Sequence, residues 1–275
     1  MKTLGDNEAL RELFTLPPIK TSANTSLAIP EMPKESAATG DREIDAVLWL
    51  QSIVETGHQE YIDRALEAVK RIKTPMKDLE KRYMSMLHKS GAHVFQVLFS
   101  TMSFGDLESK AKDAIERARN KHEALARFGT ADALFADTAA EKACNKALSR
   151  LRASDIGFFD DEQAAKRFGR RPELVPHTIS DCLHVRSYWA NIYRLRHAIY
   201  GNGDSSGECF AHECYCLSML AKIPPRDQEE ALAAFDHLYE SDSTQSDDAQ
   251  AILRNLVVSG WGGTDQPVLH EEQQA

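Results

Sequence analysis

Residues 106–128 read DLESKAKDAIERARNKHEALARF, and this stretch decides the fold class. Small and apolar side chains recur in it at spacings of three and four residues, at Leu107, Ala111, Ala114, Ala118, Leu125 and Phe128. This spacing follows the 3.6-residue period of an α-helix and not the two-residue period of a strand. Alanine at the contact points favours close packing against a neighbouring helix. The stretch therefore predicts a long helix inside a helical bundle.

The same periodicity predicts helices on both sides of this stretch. Upstream they cover residues 42–56 and 58–73, and a third runs from Pro75 to about Lys89, with Gly57 and Pro75 as the breaks. Downstream, Thr138 and Glu141 fit a capping box. A helix that begins at this capping box is predicted to end near Arg152. Four further helices are predicted over residues 178–200, 208–221, 227–240 and 247–258.

The segment 93–104, HVFQVLFSTMSF, is ambiguous because a short apolar run fits either a buried helix or a strand. We interpret it as a helix, since no partner strand is evident nearby. The sequence thus predicts an all-α, multi-helix bundle. We expect a disordered N-terminal arm over residues 1–40, a helical domain over 41–153, a second helical subdomain over 154–258 and a short flexible tail over 259–275.

The arm is predicted from composition. Residues 1–15 carry one short amphipathic pattern, at Leu10, Leu13 and Phe14, whereas residues 16–40 contain four prolines and many small polar residues. Such a segment buries too little apolar surface to offset the entropy lost on ordering.

Composition limits the class of protein. Among 275 residues, 42% are hydrophobic and 27% charged, as in ordinary globular domains. We find no run of about 18 uncharged apolar residues, and Asp6, Glu8 and Glu12 interrupt any signal peptide. The five cysteines are an odd and sparse set, which indicates reduced thiols. We therefore expect a cytoplasmic protein that does not bind membranes.

The net charge of −9 is unevenly distributed. Residues 201–275 hold 14 acidic and 3 basic side chains, or −11, so residues 1–200 sum to +2. Residues 1–200 contain two runs of basic side chains, within residues 70–82 and 166–171. An acidic C-terminal part would repel a polyanion or fold back onto these basic faces. We favour the alternative that both runs are ordinary solvated helix surface.

One basic run invites a nucleic-acid hypothesis. In DEQAAKRFGRR, Ala165 and Gly169 lie four apart, as in the helix-turn-helix pattern, but Pro172 and Pro176 restrict the helix that should follow. The alternative is a plain turn between two helices. The candidate phosphate-binding residues are Lys166, Arg167, Arg170 and Arg171, with Arg186 and Arg194 on the helix 178–200.

The helix 178–200 also carries aromatic residues. Such side chains stack bases in single-strand-binding proteins. We favour burial, because Trp189 shares a stripe with Val185 and Ile192, with the arginines snorkelling to solvent.

A metal hypothesis comes from Cys209, His212 and Cys216, which fall at i, i+3 and i+7 on one helix face, where a thiolate and an imidazole suit zinc. Structural zinc sites usually draw ligand pairs from two tight turns, and a fourth ligand here would come from His184 or His197. The alternative is that the cysteines fill a core.

The sequence contains no nucleophile elbow, phosphate loop, HExxH or strand-bound glycine fingerprint, so we favour a role other than catalysis. Our first hypothesis is a protein-interaction or regulatory module that acts through helix faces on a macromolecular partner, most simply a protein. The second is a nucleic-acid-binding accessory protein that uses residues 166–171 and 178–200. The third is a metal-dependent enzyme that uses the cluster 209–216. The sequence leaves the oligomeric state open.

Overall fold

The computed structural model describes residues 5–20, 29–35, 37–91, 93, 104–155, 157–201, 205–241, 243–245 and 248–260. Within these ranges the regular structure is helical and contains no strand, which confirms the all-α prediction. The helix expected over 93–104 lies outside the described residues except at His93 and Phe104, and the tail beyond residue 260 also lies outside them.

The helices predicted from the sequence lie within a few residues of the expected bounds, whereas the short helix at residues 131–135 was not predicted. The helices of the structure are numbered along the chain. They are α1 (Glu8–Leu13), α2 (Arg42–Val54), α3 (Gln59–Val69), α4 (Met76–Lys89), α5 (Leu107–Phe128), α6 (Ala131–Phe135), α7 (Ala139–Leu148), α8 (Asp161–Phe168), α9 (Ile179–Tyr200), α10 (Gly207–Met219), α11 (Gln228–Glu240) and α12 (Ala249–Gly260). Short 3-10 turns occur at Pro172–Leu174 and Ser243–Gln245.

Local chemistry sets the ends of these helices. Thr138 and Glu141 form the predicted capping box at the start of α7, because each side chain accepts a backbone N–H that has no partner within the helix. Asp106 caps α5 by accepting from the N–H of Ser109. After α2, Gly57 turns the chain with φ of +69°, a conformation that favours glycine, and a Cβ there would lie 2.8 Å from the carbonyl oxygen of Ala114.

The described helices form two compact units. The N-terminal unit comprises residues 19–134 and 198–201, and the C-terminal unit comprises residues 1–18, 135–197 and 202–275. In the N-terminal unit α2 packs against α3, α4 and α5. Its buried core consists of Ile44, Val47, Leu50, Ile53, Val54, Ile62, Ala65, Leu79, Phe104, Leu107 and Ala111.

In the C-terminal unit, α7 packs against α8 and α10, and α11 packs against α12. Its buried apolar cluster consists of Ile179, Cys182, Leu220, Ala231, Ala234, Leu238, Ile252 and Leu256. The division near residue 134 differs from the expected boundary at 153/154. The physical reason is that α7, which precedes the expected boundary, buries its apolar side against helices that follow it.

The segment predicted as an arm contains one docked element. The pattern at Leu10 and Phe14 forms α1, and both side chains are buried in the C-terminal unit. Residues 16–20 and 29–35 form no helix, as their prolines and polar residues predict.

None of the helices in the described ranges combines the length and the apolar composition needed to cross a bilayer.

Candidate functional site: an exposed face of α11

The outer face of α11 exposes an apolar stripe. Leu232 is 43% exposed, Phe235 49% and Tyr239 76%, and they lie at positions i, i+3 and i+7 of one helix. This spacing places the three side chains on one side of a helix. Among the described helices, no other carries three large exposed hydrophobic side chains. We call these three residues the α11 stripe.

Acidic side chains lie along one edge of the α11 stripe. At about 100° per residue, Glu229, Asp236 and Glu240 fall on the same side of it, and all three are exposed. Lysine and arginine are absent from α11, whose sequence is QEEALAAFDHLYE. The face therefore combines apolar contact area with negative charge.

The opposite side of α11 is fixed to the C-terminal unit. Ala231, Ala234 and Leu238 are buried in the same cluster as Ile252 and Leu256 of α12. At the first turn, the carboxylate of Glu230 accepts from the backbone N–H and the hydroxyl of Ser180, at 2.8 and 2.7 Å. A rigid, buried underside holds the α11 stripe in place, so a partner meets a preformed surface.

A polar cluster also holds α11 in place. The Nε of Arg186, on α9, donates to Nε2 of His237 at 2.6 Å, and its guanidinium lies 3.9 Å from the carboxylate of Glu213, on α10. Burial, and then the nearby Arg186 charge, lower the pKa of His237 to about 4. Burial raises the pKa of Glu213, although Arg186 opposes this shift. At neutral pH His237 is therefore uncharged and accepts the hydrogen bond from Arg186.

Four of the six residues predicted to bind nucleic acid have partners within the chain. Arg186 is 8% exposed and is committed to His237 and Glu213, so it is not available to a phosphate. Lys166 forms an ion pair with Glu162, Arg171 lies 3.6 Å from Glu173, and Arg194 donates to Asn191. Arg167 is partly exposed and Arg170 exposed.

The helix-turn-helix expectation also meets a different geometry. After α8 the chain forms the 3-10 turn Pro172–Leu174, and the next long helix, α9, starts only at Ile179. Pro172 occupies the first position of that turn, where its missing N–H is tolerated. The connection between α8 and α9 therefore contains one 3-10 turn and no further helix.

The nucleic-acid hypothesis stays a prediction with a direct test. Changing Lys166, Arg167, Arg170 and Arg171 together to alanine should cost little stability, because exposed charge pairs contribute about 0–1 kcal/mol each. We expect the unmodified chain to show no appreciable DNA binding at physiological salt, measured by fluorescence anisotropy, because residues 201–275 are strongly acidic. Tight, salt-sensitive binding that is lost in the quadruple variant would contradict this expectation.

The predicted metal ligands are buried on one helix, and His212 is already engaged by a backbone carbonyl. Cys209, His212 and Cys216 are fully buried on α10. Nε2 of His212 lies 2.9 Å from the carbonyl oxygen of Leu174, and its Nδ1 lies 4.0 Å from Sγ of Cys216. In the described part of the chain, no group of three or more His, Cys, Asp or Glu side chains is arranged to hold a metal ion.

Burial dominates the electrostatics of this cluster. Burial lowers the pKa of His212 to about 4 and raises the pKa of Cys216 well above its usual value. Neutral thiols do not ligate zinc without losing their protons. Cys144, Cys182, Cys209 and Cys216 are buried and Cys214 is partly buried, all as free thiols.

The interpretation of Trp189 as a buried side chain is confirmed. It is fully buried and lies edge-on to Phe14 and Tyr188. The expectation that all of the arginines of this helix snorkel to solvent is wrong for Arg186 and Arg196, which are buried against acidic partners.

Comparison of the chain with protein-family models, with curated proteins and with solved structures gave no match.

The sequence predicted a helix over 227–240 but did not single out its stripe. Leu232, Phe235 and Tyr239 alternate with Ala231, Ala234 and Leu238, so two apolar sides share one helix. The signal that could have revealed the stripe is the presence of two apolar sides, because a helix that covers a core on one side needs only one.

Proposed function

We propose that this chain is a protein-interaction module whose α11 stripe binds a basic, apolar segment of a partner protein. The observation that carries the proposal is the exposure of Leu232, Phe235 and Tyr239 at i, i+3 and i+7 on a helix whose other side is buried. Amphipathic helices that dock into partner grooves use anchors at this spacing. Aromatic side chains dominate the energetics of such contacts.

The charge of the face supports a basic partner. Glu229, Asp236 and Glu240 border the α11 stripe, and a lysine or arginine opposite them would gain complementary electrostatics. An acidic partner would be repelled by the same carboxylates. Complementary charge mainly selects the partner and speeds association, whereas the apolar anchors supply most of the affinity.

Two helical model peptides test this proposal, one with a leucine stripe flanked by lysines and the other with the same stripe flanked by glutamates. We expect the basic peptide to bind the full chain and the acidic peptide to bind much more weakly. Changing Phe235 and Tyr239 together to alanine should weaken binding of the basic peptide by at least about 30-fold, because one interface hot spot contributes about 2 kcal/mol or more. Calorimetry or anisotropy measures the change.

The matched control is Phe210→Ala. Phe210 is an aromatic residue of the same unit with similar exposure, 43%, on α10. Its replacement should leave binding of the basic peptide unchanged. Equal binding of both peptides, or an effect of Phe210→Ala equal to that of the Phe235 and Tyr239 double replacement, would mean that the α11 stripe is not the binding surface.

A further inference from the structure

An open groove of about 530 Å³ lies between α1 and α7, both of which belong to the C-terminal unit. Binding pockets typically measure roughly 300–1,000 Å³. Small and apolar side chains of both helices form its floor, namely Leu13 of α1 with Ala139 and Ala143 of α7. Ala139 is exposed, and the other two are partly buried. The floor therefore offers apolar contact area to bulky side chains from outside the unit. We call this surface the α1–α7 groove.

Positive charge predominates in the α1–α7 groove. Lys142 and Lys146 of α7 line it, and so does Arg171, which lies 3.6 Å from Glu173. Glu12 is the other acidic side chain among the described lining residues, so three cations face two carboxylates. Both lysines are exposed, and neither ammonium group has an ion pair in the described part of the chain. The groove thus favours an anionic occupant.

The spacing along α7 specifies this occupant further. Lys142 and Lys146 lie at i and i+4, and so do Ala139 and Ala143. Side chains four residues apart lie on the same side of a helix, about 6 Å from each other along its axis. An occupant that matches α7 carries two carboxylates at this distance. Beside them it carries large apolar side chains, which fill the space above the alanines.

The α11 stripe and its acidic edge meet these requirements. Asp236 and Glu240 are exposed and lie at i and i+4. Next to them, Phe235 and Tyr239 have the same spacing and are 49% and 76% exposed. With the axes of α7 and α11 nearly aligned, each carboxylate would lie opposite a lysine and each ring above an alanine. Charge and side-chain size are therefore complementary at the same repeat distance.

The two faces belong to helices that are fixed within one unit. The underside of α11 is buried against α12, and α7 packs against α8 and α10. The α11 stripe is exposed in the structure, so it does not occupy the α1–α7 groove of its own chain. Pairing of the two faces therefore requires two copies, and the contact joins unlike surfaces, which makes it heterologous.

We propose that the α1–α7 groove binds the α11 stripe of a second copy of this chain. The inference rests on the proposed function of the α11 stripe and names its partner. The net charge of −9 opposes self-association when salt is low. At physiological ionic strength charges separated by more than about 8 Å are largely screened. The opposed lysines and carboxylates then determine the electrostatics of the contact.

Sedimentation velocity of the full chain, from about 1 to about 200 μM at physiological salt, tests the proposal. We expect the sedimentation coefficient to rise with concentration. Lys142→Glu with Lys146→Glu should weaken self-association at least about tenfold, because like charges would then face each other. The matched control is Arg117→Glu with Lys121→Glu, since these two exposed cations have the same spacing on α5 of the N-terminal unit. The control should associate as the wild-type chain does.

A second charge reversal shows whether the two faces meet. Asp236→Lys with Glu240→Lys gives a chain whose groove and α11 are both basic, whereas Lys142→Glu with Lys146→Glu makes both faces acidic. Neither variant should associate with itself, but each groove matches the α11 of the other variant. Mixing the two should therefore restore association, a result that unfolding of either variant, checked by circular dichroism, cannot produce.

The outcomes separate this inference from the proposed function. Wild-type chains that stay monomeric while the lysine-flanked model peptide still binds overturn the second copy as partner and leave the proposed function intact. If that peptide also fails to bind, the proposed function is lost as well. Association that withstands charge reversal in the groove, that the α5 control also loses, or that mixing the two variants does not restore overturns the α1–α7 groove as the binding site.

Discussion

Lowering the pH from about 7.5 to about 5 is expected to destabilise the C-terminal unit by about 4 kcal/mol through two buried histidines, each contributing about 2 kcal/mol. Burial lowers the folded-state pKa of His212 and of His237 to about 4, against 6.5 for an ordinary histidine. Because the folded pKa is the lower one, the unfolded chain takes up protons first. Stability is therefore fully present above about pH 6.5 and is lost progressively as the pH falls towards 4.

The contacts explain why protonation is costly. Nε2 of His237 accepts from Arg186 at 2.6 Å, so a second proton would place two cations against each other. His212 is fully buried against the rings of Phe14 and Phe168, where a charge would lose its hydration by bulk solvent. Acid should thus loosen both α11 and α1 from the unit.

Urea titrations at the two pH values measure this loss of stability, with hydrogen exchange of the α9 amides as the readout for the C-terminal unit. His237→Gln keeps an acceptor for Arg186 but cannot be protonated, and should remove about half of the pH dependence. His197→Gln, at an exposed position of α9, is the matched control for the histidine-to-glutamine substitution. A C-terminal unit of equal stability at both pH values would show that these histidines already accept protons in the folded chain.

Arg196→Ala is expected to lower the free energy of unfolding by about 3–5 kcal/mol, the usual cost of removing one partner of a buried ion pair. The two terminal nitrogens of Arg196, on α9, donate to the two carboxylate oxygens of Glu141, on α7, at 2.6 and 3.0 Å. Both side chains are buried. Burial would raise the pKa of Glu141, but Arg196 and the N–H of Thr138 together lower it.

Glu141 has two roles, which increases the effect of losing its partner. Its carboxylate also accepts from the N–H of Thr138 in the capping box of α7. The hydroxyl of Tyr188 donates to Oγ1 of Thr138 at 3.0 Å, so the cap is part of the contact between α7 and α9. Without Arg196, a buried carboxylate would have to stay charged without its cation or take up a proton.

The control for this prediction replaces both partners. Glu141→Gln combined with Arg196→Met removes the two charges and keeps the volume, so it should cost clearly less than Arg196→Ala alone. Denaturant unfolding of the two variants gives the comparison. A loss below about 1 kcal/mol in Arg196→Ala would place the pair among solvated ion pairs.

Several features could be predicted because their causes are local. The spacing of small residues in α5, the capping box at Thr138 and Glu141, and the end of α2 before Gly57 each depend on residues a few positions apart. The burial of Trp189 followed from its stripe on α9 for the same reason. Sequence periodicity thus sufficed for the elements and for much of their buried sides.

The candidate sites were less accessible to prediction. Arg186 was expected to face a phosphate, but its partner His237 lies 51 positions away on another helix. Cys209, His212 and Cys216 do share one helix, yet the carbonyl of Leu174, 38 positions earlier, engages the imidazole. In both cases the residue type is compatible with two environments. A residue that is distant in sequence and adjacent in the fold determines which environment the side chain has.

By itself, the sequence determined that this chain is helical, where most of its helices begin and end, and that its charge is concentrated after residue 200. Only the tertiary structure decided that α1 fills a groove built from residues beyond 170 and that α11 presents Leu232, Phe235 and Tyr239 outward. The physical reason is that helix period and capping arise from backbone bonds over three or four residues, whereas burial depends on which surfaces meet. An amphipathic pattern specifies that a helix has an apolar side, but not which element covers it.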